Sequence, residues 1–437
     1  MSFPRYPNYK DSGVEWLGAV PEHWQMTQGR RLFTQEREPA RPTDDQLSAT
    51  QKYGVVPQKL FMEMEDQKVT LALSGLDNFK HVEADDFVIS LRSFQGGIER
   101  SKYPGCVSPA YTVLRSAEPI DASFWGYLLK SKGYIEALQT MTDGIRDGKN
   151  ISYQQFGQIR VPVLPLPEQT QIAAFLDRET AKIDALVAEQ RRLMELLKEK
   201  RQAVISHAVT QGLNPRVSMK PSGIEWVGEV PAHWDATPIK YVAKVGNGST
   251  PSREVPEYWG ETGFPWLNSS VVNSSVVTEA EGFVTERALR ECHLPVIAPP
   301  AILVGITGQG RTRGMAAMLG IEATINQHVA YVKPSTDELD VRYLLRILES
   351  AYLKLRRDSE EAGATKGAIT CEQIRNLHVP LPPLAEQSAI SAFLNTESAK
   401  FDTLTTEAQH AIDLLQERRT ALISTAVTGK IDVRGAL

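Results

Sequence analysis

Residues 164–210 read LPLPEQTQIAAFLDRETAKIDALVAEQRRLMELLKEKRQAVISHAVT, and residues 382–428 read PPLAEQSAISAFLNTESAKFDTLTTEAQHAIDLLQERRTALISTAVT. The two align without a gap at an offset of 218. From Glu168 to Gln211, and from Leu384 to Thr428, there is no Gly or Pro. Apolar residues step by three and four: Ile183, Leu186, Leu193, Leu197 and Val204 in the first copy, with Gln190 and Lys200 in the remaining slots. The second copy supplies Phe401, Leu404, Ala408, Ala411, Leu415 and Leu422, with Arg418 matching Lys200. This pattern predicts a coiled-coil seam on each of two long helices. A helix of about 40 residues is roughly 60 Å long. Gly212 and Gly429 are the expected stops. Packing inside an ordinary helical domain is the alternative, but two equal seams in one chain favour antiparallel pairing with each other.

A second repeat opens each half. Residues 12–24, SGVEWLGAVPEHW, and 222–234, SGIEWVGEVPAHW, share nine of thirteen residues at an offset of 210. The second half is therefore about eight residues longer between its two shared motifs. Each half has a Trp-rich opening, a variable stretch, a Pro-rich hinge and a long helix. Trp16, Trp24, Trp226 and Trp234 are expected to seat each globular part against the helix ends. The expected fold is α+β: two globular domains (1–163 and 215–380) joined by two long antiparallel helices (164–214 and 381–437), with internal pseudo-twofold symmetry.

Composition narrows the function. A chain of 437 residues with 42% hydrophobic and 23% charged residues fits two or three soluble domains. No apolar run reaches the roughly 20 residues of a membrane span, and the polar start does not resemble a secretory signal. Cys106, Cys292 and Cys371 are isolated, which fits a reducing cytoplasm and argues against a disulfide framework or zinc cluster. A net charge of −5 argues against a general polyanion binder, though not against a specific DNA reader with local basic loops.

The variable stretches contain such loops. Strand patterns at 85–94 and 301–310 run into Gly-rich turns, with further strands at 111–115 and 328–333 and amphipathic helices at 124–138 and 341–356. The first turn offers Arg92, Ser93, Gln95, Gly96, Gly97, Arg100, Lys102 and Tyr103; the second offers Gln309, Arg311, Thr312 and Arg313. Arg can bond guanine bidentately, Gln can bond adenine, and Gly lets backbone approach a phosphate. Gly and Arg also make plain solvated turns, but both inserts place the loop at an equivalent point. Lys149 and Asn150, and Thr365 and Lys366, occupy equivalent places before each hinge; Ser249, Thr250 and Arg253 in GNGSTPSR could hold a backbone phosphate.

Catalytic signatures are missing. There is no GxxxxGK[ST], no HExxH, no G-x-G-x-x-G in a suitable βαβ unit and no Asn-Pro-Pro-aromatic motif. His23 and His233 read as packed, hydrogen-bonded histidines rather than catalytic ones. No residue is assigned to catalysis or to a metal.

Taken together, the doubled SGxEWxGxVPxHW, the GNGSTPSREVPEYW stretch and the paired LPLPEQ and PPLAEQ helices resemble the specificity (S) subunit of Type I restriction–modification systems, over essentially the whole chain. The first insert departs by lacking the GxGxTPSR stretch. The resemblance implies a non-catalytic subunit. Its two target recognition domains would each read one half of a split asymmetric double-stranded DNA target, and its helices would fix the gap between the halves. It also implies two modification (M) subunits carrying S-adenosylmethionine chemistry and up to two restriction (R) subunits using ATP with Mg, with no cofactor in this chain and no membrane. A coiled-coil scaffold that never touches DNA, and an endonuclease or fused methyltransferase, are the rival readings. The first leaves the paired Gly/Arg loops unexplained, and the second lacks its motifs.

Overall fold

The computed structural model describes residues 3–65, 78–90, 97–140, 151–361 and 367–435. The chain forms two compact units, Met1–Arg191 with Gln409–Leu437, and Arg192–Ala408. Among the described residues no helix is long and apolar enough to cross a membrane.

Each unit is built on the same sheet despite the unlike sequences. In the first unit the order is Phe33–Glu36, Thr112–Ser116, Phe87–Ile89, Ile98–Arg100, all antiparallel. In the second it is Ala243–Asn247, Val329–Pro334, Ala301–Gly305, Ala316–Leu319, with Val276–Val277 added in parallel at the edge. Residues such as Phe87, Val88 and Ile89, or Ile302, Leu303 and Val304, are buried whether they point up or down, so these strands are covered on both faces. The second unit also carries a small sheet of Trp259–Gly260, Gly282–Val284, Phe264–Leu267 and Thr324–Ile325.

The repeated opening folds identically in both units. It makes a hairpin, Tyr9–Asp11 with Ala19–Pro21, and Met219–Pro221 with Glu229–Pro231. The serine of the motif bridges the turn: Ser12 N–H donates to the Gly18 carbonyl at 3.0 Å, and Ser222 N–H to that of Gly228 at 2.9 Å. The closing His-Trp pair then grips the first turn of a long helix. The indole N–H of Trp24 donates to Glu168 Oε1 at 3.0 Å, and His23 Nε2 lies 2.7 Å from Glu168 Oε2. In the second unit Trp234 and His233 meet Glu386 at 3.0 and 2.7 Å. Tyr6 adds its hydroxyl to Glu168 at 2.8 Å, a bond made only in the first unit among the described residues. The next residue ties down a second element. Gln169 accepts from the Asp121 N–H and the Trp125 indole and donates to the Leu164 carbonyl. Gln387 accepts from the Asp340 N–H and donates to the carbonyls of Glu338 and Pro382. Asp121 and Asp340 are the N-caps of helices Ala122–Leu129 and Val341–Ser350, so each Gln fixes where a packing helix begins.

The long helices are Leu166–Gln211 and Leu384–Val427. Both end as expected, with Gly212 and Gly429 in the left-handed region at φ +75° and +70°. A side chain at Gly212 would press on the Trp234 ring, and one at Gly429 on Pro21 and Trp24. Each core therefore takes the start of one helix and the end of the other. Ile172, Phe175 and Leu176 join Ala426 and Val427 in the first unit; Ile390 and Leu394 join Ile205, Ala208 and Val209 in the second. Trp24 and Trp234 act as the anticipated anchors. Trp16 instead packs edge-on against Tyr134, 5.6 Å between ring centres.

The helices pack together, but on a seam shifted at alternate positions from the expected one. Ile183, Leu197 and Phe401 are buried, and Val204, Ala411, Leu415 and Leu422 are half-buried, whereas Leu186, Leu193 and Leu404 are 46%, 42% and 45% exposed. Val187, Met194, Thr405 and Ile412 fill the inward slots, one residue further on. The inward set 183, 187, 190, 194, 197, 201, 204 still alternates steps of four and three, as a heptad seam requires. Ion pairs close across it: Asp184 with Arg419 at 2.9 Å in the first unit, and Arg201 with Asp402 at 2.6 Å in the second.

Two outcomes follow from these contacts. Glu168→Ala should lower the unfolding free energy by about 3 kcal/mol, because it strands the buried Tyr6 hydroxyl and Trp24 indole. Glu386→Ala should cost about 1 kcal/mol, since its carboxylate is already 43% exposed against 6% for Glu168. Along the seam, Val187→Asn should destabilise by about 2 kcal/mol and Leu186→Asn by less than about 0.5 kcal/mol. Urea unfolding measures all four, and equal losses at positions 186 and 187 would contradict the observed phase.

Candidate nucleic-acid interface

In the second unit the Gly-rich loop lies between strands Ala301–Gly305 and Ala316–Leu319. In the first, the loop between Phe87–Ile89 and Ile98–Arg100 joins the two equivalent strands. The expectation that both inserts place their loops at one point of a shared frame therefore agrees with the sheet order.

The second loop divides its polar side chains between surface and interior. Gln309 and Arg311 are exposed and Thr312 is half-buried. Arg313 is not at the surface. Its side chain is 3% exposed and its Nη2 donates to Glu360 Oε1 at 2.6 Å. The expectation that all four side chains face a ligand is corrected at this position. An Arg flanked by Gly and Thr reads the same in sequence whether it turns outward or in, and here a carboxylate on a neighbouring helix draws it in.

The GNGSTPSR stretch comes to the same surface by a route the sequence did not reveal. The Thr250 hydroxyl donates to Gln327 Oε1 at 2.6 Å. The Gln327 amide nitrogen lies 3.3 Å from His328 Nε2, and His328 Nδ1 lies 2.9 Å from the Thr307 hydroxyl. With the amide donating to Nε2, the imidazole proton sits on Nδ1 and points at Thr307. This chain of side chains joins the Thr250 turn to the base of the Gly-rich loop, and Thr250, Gln327 and His328 are all exposed. Gln327 and His328 occupy the short turn between strands Thr324–Ile325 and Val329–Pro334, in the run NQHV, which has no motif to flag it. Ser249 contributes its carbonyl, which accepts from the Trp266 indole at 3.2 Å. Arg253 is exposed and stacks over Trp259, 4.6 Å from the ring centre.

In the first unit Gly97 is buried at the loop base, and its carbonyl accepts from the Ser90 N–H. Arg100 is engaged within the protein. Its Nε and Nη2 both donate to Asp85 Oδ1, at 2.8 and 2.6 Å, and its Nη1 donates to the Ser123 hydroxyl. Arg100, read from the sequence as a DNA contact, is thus already committed to Asp85 and Ser123, although unlike Arg313 its side chain stays 25% exposed. Lys102 and Tyr103 are exposed. Beside Arg100, burial pushes the Glu99 carboxyl up to about 7, against the opposing pull of the Lys130 ammonium at 2.7 Å. Arg92, Ser93, Gln95, Gly96, Lys149, Asn150, Thr365 and Lys366 lie outside the described residues. Among the described residues no cluster of His, Cys, Asp and Glu could hold a metal ion.

The model of the Type I restriction modification DNA specificity domain matches residues 231–413. The type I restriction enzyme MjaVIII specificity subunit of Methanocaldococcus jannaschii is 24% identical over 445 residues, covering 99% of this chain and 98% of that one. The EcoR124I/EcoR124II specificity subunit of Escherichia coli is 24% identical over 270 residues; that match spans 59% of each protein. A chain solved in work on complex assembly and conformational transition of the type I R-M system superposes with a TM-score of 0.72, at 17% identity, over 93% of this chain and 98% of that one. The chain belongs to the specificity subunits of Type I restriction–modification systems. It is the DNA specificity subunit of such a system and not one of its catalytic subunits. The α+β architecture, with two β-rich units and paired long helices, is the fold of that family.

Within this specificity subunit the two loop arginines should behave differently when removed. Arg313→Ala should destabilise the second unit by about 2 kcal/mol, through the space left by a buried side chain and the loss of its bond to Glu360. Arg311→Ala should stay within about 0.5 kcal/mol of the unaltered protein. Chemical unfolding distinguishes them, and equal stability would place Arg313 outside the interior.

Proposed function

We propose that each unit reads one half of a split asymmetric DNA target, with recognition domains at 1–163 and 215–380. In the second unit the reading surface comprises Gln309, Arg311 and Thr312 together with Thr250, Gln327 and His328. In the first it would draw on Arg92, Ser93, Gln95, Gly96, Lys102 and Tyr103. The observation that carries this reading is the hydrogen-bonded chain from Thr250 through Gln327 and His328 to Thr307, which merges two polar loops into one exposed surface. Gln can match adenine and Arg guanine along a major-groove edge, and hydroxyls suit phosphate. Arg253, on its aromatic support, would hold backbone phosphate, as would Lys102, Lys149 and Lys366.

Two modification subunits would bring S-adenosylmethionine and methylate a flipped-out adenine in each half-site. Up to two restriction subunits would act on unmodified DNA with ATP and Mg, in the cytoplasm. The net charge of −5 fits this division of labour, because much of the non-specific phosphate attraction would come from those partners.

Co-expression with the methyltransferase subunit, followed by single-molecule mapping of N6-methyladenine, tests the proposal. A split motif methylated on both strands, and absent without this chain, is the expected result. Arg311→Ala or Gln327→Ala should then weaken methylation at the same single half-site by about 1–3 kcal/mol. A stable complex with an active methyltransferase but no motif would support the scaffold reading instead.

A further inference from the structure

The reading loop of the second unit is held from below by one face of a neighbouring helix. Tyr352, Arg356 and Glu360 are spaced four apart on the helix Tyr352–Glu361, so their side chains share a face. The Tyr352 hydroxyl donates to the Arg311 carbonyl at 3.0 Å. Arg356 Nη1 donates to the carbonyls of Gly310 and Arg313, at 2.7 and 3.1 Å. Glu360 accepts from the Arg313 side chain at 2.6 Å. Three carbonyls and one guanidinium of a four-residue segment are thereby fixed by three consecutive turns of one helix.

The surroundings leave little room for another arrangement. Gly314 sits at φ +90° against the Tyr352 ring and the Arg356 stem, and a Cβ there would lie 3.2 Å from the ring. A Cβ at Gly367 would lie 1.8 Å from Arg313 Nη1, so a larger residue there would displace the guanidinium from this position. The loop base is closed by Gly314 N–H to the Gly305 carbonyl and by Ile369 N–H to the Ile306 carbonyl. The exposed side chains left over for a ligand are Gln309 and Arg311, without a polar side-chain partner among the described residues, beside the half-buried Thr312.

We propose that Tyr352, Arg356, Glu360 and Arg313 are positioning residues for target recognition in the second unit. They touch no DNA and act by holding the loop backbone so that Arg311 and Gln309 meet base edges in one fixed geometry. This rests on the DNA-reading role proposed above for that loop. A Gly-rich loop, GQGRTRG, would otherwise sample many conformations, and a bidentate contact to a base tolerates little misplacement. The helix supplies the order that the loop sequence lacks, so the ordering cost falls on folding and not on binding.

The test uses the full specificity subunit in complex with its methyltransferase partner. The probes are a duplex carrying the mapped motif and duplexes with one or the other half-site scrambled. Tyr352→Phe and Glu360→Ala should each lower discrimination at the Arg311-dependent half-site about three- to tenfold. Discrimination at the other half-site and affinity for the doubly scrambled duplex should not change. Glu360→Gln, whose amide oxygen still accepts from Arg313, should restore most of the loss, which a role for bulk charge would not allow. Equal losses at both half-sites would overturn the proposal by showing general destabilisation. Unchanged discrimination in Tyr352→Phe and Glu360→Ala, with Arg311→Ala still reducing it, would overturn positioning and leave the reading role standing. If Arg311→Ala and Gln327→Ala are also silent, the reading role fails and the positioning role with it.

Discussion

A Glu-Gln dipeptide at the start of each long helix is the constraint on which both units depend. The carboxylate takes the indole and imidazole of the repeated His-Trp pair, and the amide next to it takes the N-terminus of a packing helix. Two adjacent side chains thus fix the opening hairpin and the amphipathic helix relative to the long helix. Trp24 and Trp234 are completely buried, and an indole N–H in that position needs an acceptor. This explains why the thirteen-residue opening and the helix start are written twice together. Neither has a folded meaning without the other. The far end of the opposite helix completes the arrangement, with its terminal glycine set against the same tryptophan.

The paired helices are less hydrophobic than a simple coiled coil. Gln190, Arg201, Thr405 and Arg419 occupy inward slots, their exposure reduced by the partner helix while Arg201 and Arg419 reach carboxylates across it. Long cationic side chains can cover apolar surface with their stems and keep their heads in water. Such slots contribute little hydrophobic stabilisation but tie one register to named ion pairs. Leu186, Leu193, Leu196, Leu404 and Leu414 remain on the outward faces, each at least 42% exposed.

The two units show how one frame accommodates different surfaces. Buried strands of equivalent order carry loops of different length and composition, and among the described residues the second unit alone adds a sheet like that of Trp259 and Trp266. The Gly-rich loop of that unit is ordered by contacts from elsewhere in the chain, with its carbonyls turned to a helix and two of its side chains to solvent. Function would then reside in a few exposed groups whose geometry is fixed by residues that bond the loop backbone and the buried Arg313.

The sequence by itself determined the doubled frame, the α+β class, the two long helices with their glycine stops, and the placement of the Gly/Arg loops between equivalent strands. All of these are written in local patterns: repeat offsets, heptad steps, β-branched runs and turn residues. Three matters were decided only by tertiary structure. At Leu186–Val187, Leu193–Met194 and Ala411–Ile412 two adjacent apolar residues compete for one slot, and in helical periodicity they differ by a single 100° step. The choice fell to cross-helix packing and ion pairs, and at 404–405 it even favoured Thr over Leu. The burial of Arg313 and the pairing of Arg100 were decided by Glu360 and Asp85, carboxylates that lie outside the two loops and that no loop motif points to. The exposed pair Gln327–His328 joined the candidate surface because strand pairing brought its turn beside Thr250 and Thr307, a proximity that no spacing along the chain records.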